Sequence, residues 1–334
     1  MNEVNPLVKR TFNGMGTIYS IFSIAAIVIQ TLVFKVLMLI IPDGMSVDFE
    51  VGVSSICLYV TGLVVLRIGF IKTDYPKTTI EKHNLKVLDF IKAFSMCYAL
   101  LIVSNIIGLA ITSVIGVLKG SPVINPVENM AMEMSMPAMF ILTVILAPIF
   151  EELFFRKLII DRTIRFGEVP CMILSGFMFG MFHGNLSQFP YAFTIGVFLA
   201  YLYIRTGRLI YPILMHAIIN FMGSVAGVLV LKSMENSAFM QTVEFTNEAD
   251  MVQLLLSYLT DKGFMILMIY EVFVLSIVVI GLILWILQWK KISFKVQEHE
   301  LPKGNRLVHV MGNYGMLVYT AIWVVMIIIN TLTI

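Results

Sequence analysis

Ala147-Pro148-Ile149-Phe150-Glu151-Glu152-Leu153-Phe154-Phe155-Arg156 sets two adjacent carboxylates and a guanidinium in a segment otherwise as apolar as a bilayer interior. An ionised carboxylate at membrane depth costs about 2.5–3.5 kcal/mol even on insertion scales, so a helix that carries two has partners for them or a use. Glu152 and Arg156 are four apart and share one helix face. Glu151 points about 100° away round the helix and has no local counter-charge. The spacing predicts an ion pair for Glu152 and leaves Glu151 for chemistry, in preference to a pair that only fixes packing.

The rest of the chain explains why this stretch stands out. Hydrophobic residues make up 59% of the 334 and charged residues 13%, about half the charged share of a soluble domain, roughly 25%. Mean hydropathy is +0.91. These values predict an all-α fold, a polytopic helical membrane protein. A net charge of +2 is too small to point to nucleic acid. Cys57, Cys97 and Cys171 all fall in apolar stretches, which reads as small buried hydrophobes and not a disulfide framework.

Windows able to cross about 30 Å of hydrocarbon, at about 20 residues each, fall at roughly 16–41, 51–71, 89–118, 136–160, 169–184, 187–204, 209–232, 263–289 and 313–334. That gives about nine transmembrane helices, the fifth and sixth the shortest. The first follows a short basic head, Lys9 and Arg10, but its apolar core is too long for a signal peptide and has no small-residue cleavage site, so it reads as a retained helix. Lys and Arg crowd every second connection, for example Lys77, Lys82 and Lys86, then Arg162 and Arg165, then Arg205 and Arg208. The alternate connections carry acids such as Asp43, Asp48 and Glu133, with Lys119, Lys232 and Lys262 as single exceptions. The positive-inside rule then puts the N-terminus in the cytoplasm and the C-terminus outside; the charges fit a bacterial plasma membrane, the reading preferred, and an endoplasmic reticulum equally well.

No linker or fixed-period repeat divides the chain, but polar groups do. Residues 1–135 hold three helices with isolated polar positions, 136–232 hold four helices and the carboxylate pair, and 233–334 hold a long outer loop and two helices. In that loop, 251–260 is expected to form an amphipathic interfacial helix. Glu271, an acid inside the eighth helix, is read as awaiting a donor and not as catalytic.

Within 136–232, three helices each offer a polar group: Glu151 with Glu152 and Arg156; Phe179-Gly180-Met181-Phe182-His183; and His216-Ala217-Ile218-Ile219-Asn220, whose four-residue spacing stacks imidazole over carboxamide. Counting 1.5 Å per residue from the basic connections puts them roughly 12–20 Å deep, on the inner half of the membrane. Pro148 and Pro212 stand just before two of these groups; each is read as freeing a carbonyl and bending its helix. Peptide hydrolysis needs a polarised water and a donor for the oxyanion. Glu151 can take the proton from water, His183 can orient that water, Asn220 can supply an amide N–H, and His216 can add a second donor or protonate the leaving amine. A Zn²⁺ ion held by Glu151, His183 and His216 is the competing chemistry. No H-E-x-x-H helix supports it, so the metal-free base is preferred.

Glu151-Glu152-x-x-x-Arg156, Phe179-x-x-x-His183 and His216-x-x-x-Asn220, in this order on successive apolar helices, resemble the motifs of the CPBP (CAAX protease and bacteriocin-processing, or Abi) family of intramembrane proteases, which includes the type II CAAX prenyl endopeptidases. The resemblance covers about 136–232. It implies that Glu151 activates water with Glu152 and Arg156 in support, that His183 is its partner on the water, and that His216 and Asn220 stabilise the oxyanion. It implies a peptide or lipidated protein as substrate in the bilayer; bacteriocin leader processing, peptide-signal maturation and immunity to a bacteriocin are the roles it suggests. It does not choose between a glutamate and a metal mechanism. The competing classes are an ion or solute transporter, which would line both membrane halves with polar groups, and a catalytically idle immunity protein. Gly176 and Gly180 are read as a close-packing face, and His83, His299 and His309 as solvated surface.

Overall fold

The computed structural model describes residues 6–73, 75–123, 125–234 and 258–333, together with 237 and 256. Its long helices are α1 (Pro6–Ile40), α2 (Val47–Thr73), α3 (Val87–Lys119), α4 (Met136–Phe166), α5 (Glu168–Phe182), α6 (Phe189–Thr206), α7 (Ile210–Met234), α8 (Lys262–Lys291) and α9 (Tyr314–Thr333). All nine apolar stretches form helices, and among the described residues seven of them are long and apolar enough to cross a membrane by length and composition. The two that fall short are α5 and α6. At 1.5 Å per residue, α5 with its 15 residues is about 22 Å long, and α6 carries Tyr191, Tyr201, Tyr203 and Arg205 in its 18. The helix expected over 251–260 lies largely outside the described residues.

These short helices form a hairpin buried in the bundle. The connection from α4 turns at Gly167, whose φ of +124° suits glycine. The hairpin is close because its interface is small: a Cβ on Gly196 would stand 2.7 Å from Gly176 Cα, and one on Gly180 would stand 3.0 Å from Phe193 N. This bears out the packing role read for Gly176 and Gly180. Outer helices cover the hairpin and turn Ile, Leu and Val outward, as lipid-facing surfaces require. An aromatic cluster including Tyr19, Phe22, Phe155, Phe179 and Trp323 fills the space between α1, α4, α5 and α9. Glu271 is exposed on the outward face of α8 and makes no ion pair among the described residues.

The connections sort into two faces. On one, Thr78 N donates to Asp161 O, His83 N to Thr206 O, and His299 N to Arg165 O, at 2.6–3.0 Å; Arg205 pairs with Glu168 there. On the other, Ser135 N donates to Asp48 Oδ1 at 2.8 Å and Asn185 Nδ2 to Asn125 Oδ1 at 2.9 Å. The Lys- and Arg-rich connections are thus tied together on the first face. His83 and His299 lie there beside Glu81 and Glu298.

Candidate active site

Helix α4 is not a uniform α-helix. Its turns widen to π-helix over Phe140–Leu146 and Glu152–Lys157, a geometry that concentrates at functional sites. Ala147 N bonds to Leu142 O, five residues back. In that register residue 148 would donate to Thr143 O, but Pro148 has no N–H to give. Asn220 Nδ2 fills the vacancy, donating to Thr143 O at 2.8 Å. The second widened stretch is tied in the same way: Tyr19 Oη donates to Phe154 O at 2.5 Å and Ser175 Oγ to Phe155 O at 2.8 Å. Side chains from α1, α5 and α7 thus hold α4 in its unusual register. Pro212 behaves differently from the expectation. It is the third residue of α7, in a first turn where backbone N–H groups lack helical partners anyway.

The predicted Glu152–Arg156 pair is present: Arg156 Nε lies 2.9 Å from Glu152 Oε2, and both side chains are fully buried. The guanidinium sits 4.3 Å over the Phe179 ring, and its terminal nitrogens find no hydrogen-bond acceptor among the described residues. The other oxygen, Glu152 Oε1, faces His216 Nδ1 at 2.9 Å. On its far side His216 Nε2 stands 3.8 Å from Glu151 Oε2. Arg156, Glu152, His216 and Glu151 therefore form a chain running from the protein interior to a cavity. Two carboxylates against one guanidinium leave the chain one proton short of neutrality. Burial makes an uncompensated charge expensive, so that proton belongs between Glu151 and His216, the pair at the open end.

His183 caps α5, and its Nδ1 lies 2.8 Å from Phe179 O. A carbonyl only accepts, so Nδ1 carries the proton and Nε2 offers a lone pair. Phe179 organises the site: its ring meets those of His183 and His216 edge-on at 4.7 and 5.7 Å, while Arg156 covers its face. Glu151, Phe179, His183, His216 and Asn220 line one cavity of about 600 Å³. Glu152 and Arg156 lie behind it. The hydroxyls of Thr143 and Ser224, 3.1 Å apart, also belong to this wall; no motif marks them, and Pro148 is the only hint to Thr143 that the sequence carries.

The zinc alternative names Glu151, His183 and His216. Among the described residues no three His, Cys, Asp or Glu side chains form a group that could hold a metal ion. His216 Nδ1 is committed to Glu152, and His183 Nδ1 to a backbone carbonyl.

Comparison with curated proteins and with solved structures finds no match. Residues 133–222, which include every side chain of the chain from Arg156 to Glu151 together with Phe179, His183 and Asn220, match the family described as Type II CAAX prenyl endopeptidase Rce1-like. That match falls on the very helices that build the buried chain and supports the resemblance to the CAAX-protease (CPBP) family.

Proposed function

We propose that the protein is an intramembrane endopeptidase in which Glu151 activates a water molecule against a peptide bond of a membrane-associated peptide or lipid-bearing protein. The observation that carries this reading is the imidazole of His216 held between Glu152 and Glu151 at the inner end of a cavity. Glu151 removes a proton from water, and the hydroxide adds to the carbonyl carbon. The His183 Nε2 lone pair accepts a hydrogen bond from the same water and sets its orientation. The oxyanion that forms takes a hydrogen bond from the second N–H of Asn220, whose first is held by Thr143 O. Collapse of the tetrahedral species breaks the C–N bond, and the proton held by Glu151 goes to the leaving nitrogen. The proton that the buried chain already holds between His216 and Glu151 stays on Nε2 while Glu151 acts as the base, and Glu152 on Nδ1 keeps the ring in place. The reading requires no metal.

The direct test is cleavage of a peptide by the purified chain in detergent. Glu151→Gln keeps the volume and removes the base, and is expected to lower the rate at least ~100-fold, as general-base losses do. Full activity in that variant would move the base elsewhere and sink the assignment.

A further inference from the structure

A second cavity, of about 890 Å³, is walled by α2, the connection after it and α4, and shares no lining residue with the cavity of Glu151. Both helices run along it toward the Lys- and Arg-rich face. From Gly62 to Phe70 of α2 the groove extends about 12 Å at 1.5 Å per residue. Leu63, Val64, Ile68 and Ile71 are exposed along it, and Leu153, Phe154 and Leu158 of α4 form the opposite wall. At its inner end the helices approach closely: a Cβ on Gly62 would stand 2.6 Å from the Phe154 ring. One turn further in, Tyr59 stacks on Phe150 at 4.5 Å and closes α2 against α4.

Toward the basic face the groove carries three cations, Arg67, Lys77 and Arg162. Arg67 and Lys77 are exposed and can extend to water, as long cationic side chains near a membrane edge do. Arg162 cannot. It is only 4% exposed, its guanidinium lies 4.0 Å over the Phe70 ring, and its Nη1 donates to Leu158 O at 2.9 Å. Its Nε finds no acceptor among the described residues. The neighbouring carboxylate of Asp161 is engaged by Lys157 Nζ and Tyr203 Oη, at 3.1 and 2.8 Å. Arg10 brings a fourth cation beside the groove, its Nη2 donating to Thr73 O at 3.5 Å; Asp74, the acid next in sequence, lies outside the described residues. A buried guanidinium without a counter-charge is costly, and its planar N–H groups match phosphate oxygens.

We propose that this groove binds an anionic phospholipid, with the phosphate among Arg67, Lys77 and Arg162 and an acyl chain laid between α2 and α4. Basic pockets between membrane helices take lipid head groups in this way. A zwitterionic lipid offers the same chain but no net charge to offset the cations. A lipid seated there packs on Leu153 and Phe154, in the π-helical stretch that also carries Glu152 and Arg156. It therefore braces the helix of the candidate site from the lipid side, whether or not the chain is a protease.

Native mass spectrometry of the full chain tests this, after exchange into dodecylmaltoside micelles supplemented with phosphatidylglycerol or phosphatidylcholine. The wild type is expected to retain phosphatidylglycerol in preference to phosphatidylcholine. Arg67→Gln/Lys77→Gln is expected to retain phosphatidylglycerol about 30-fold less well, at about fivefold for each basic side chain beside an anionic lipid. Val64→Trp fills the groove without touching a charge and is expected to weaken retention as well; Ile68→Trp repeats this arm should Val64→Trp fail to fold. Lys290→Gln/Lys291→Gln removes two exposed cations elsewhere and is expected to leave retention unchanged. Equal retention of the two lipids by the wild type overturns the proposal, as does unchanged retention in the groove variants or an equal loss in Lys290→Gln/Lys291→Gln. Displacement of the lipid by excess inorganic phosphate at constant ionic strength also overturns it, since the space between the helices would then contribute nothing.

Discussion

His216 is held from both edges by two consecutive acids of one helix, its Nδ1 2.9 Å from Glu152 Oε1 and its Nε2 3.8 Å from Glu151 Oε2. Neighbouring residues on a helix diverge by about 100° and do not face each other. A ring with a nitrogen on either side can still meet both when it enters between them. Glu151 ends a short α-helical stretch, and Glu152 begins a π-helical one. The two acids thus play different parts: one is walled in with Arg156, and the other fronts the cavity.

Glu152→Gln tests the relay. The amide preserves shape but can donate to Nδ1 as readily as accept from it, so the imidazole tautomer is no longer fixed. The expected outcome is a fall in kcat of about 10²–10⁴ with KM little changed, the range of general acid–base effects. A variant that lost only affinity would show that His216 contacts substrate and does not handle the proton.

Arg156→Ala would strand Glu152 in a fully buried position. Breaking one half of a buried pair costs about 3–5 kcal/mol. Unfolding in detergent should therefore show Arg156→Ala as far more destabilising than the double variant Glu152→Gln/Arg156→Met, which removes both charges. Equal destabilisation would mean the charge pair is not what the surrounding structure depends on.

Asn220→Ala is expected to cost about 10²–10³ in rate, the scale of an oxyanion-hole deletion. Pro148→Ala offers an independent check from the other side of the same contact. It restores a backbone N–H that competes with Asn220 for the Thr143 carbonyl. Activity should fall while thermal stability holds or rises; unchanged kinetics in both variants would remove Asn220 from the reaction.

Chelation bears on the cofactor. Prolonged treatment with a strong zinc chelator is expected to leave peptide cleavage intact. Loss of activity restored by added Zn²⁺ would reassign Glu151, His183 and His216 as ligands.

Gly196→Leu probes the hairpin that carries Phe179 and His183. A side chain there meets the backbone of Gly176, already 2.7 Å from a first Cβ. Overpacking of a close interface typically costs about 1–3 kcal/mol, and a lowered Tm with a proportionate loss of activity is the expected result. A fully stable variant would show that the close approach of α5 and α6 is dispensable.

The apolar windows, the Glu152–Arg156 pair and the convergence of three helices on one cavity were legible from composition and spacing. Hydrophobic length and four-residue neighbours are local properties, and a chain carries them before it folds. Apolarity serves equally for a lipid-facing helix and for one buried in protein, so the windows of α5 and α6 located helices without showing that these meet lipid. One local reading failed. Pro212 was assigned a freed carbonyl that its place in the first turn of α7 does not provide.

What tertiary structure alone decided is which atom meets which. His216 was matched with Asn220 because they are four apart on one helix. In the folded chain its Nδ1 turns instead to Glu152, 64 positions earlier, while Asn220 turns to the Thr143 carbonyl that Pro148 leaves open. The cavity has the same origin. Sequence places polar groups on each helix, but only the packing of α3, α4, α6 and α7 brings them to the wall of one space. Spacing along a chain governs contacts within a helix; contacts between helices depend on crossing geometry and widened turns, which form only when the helices have found one another.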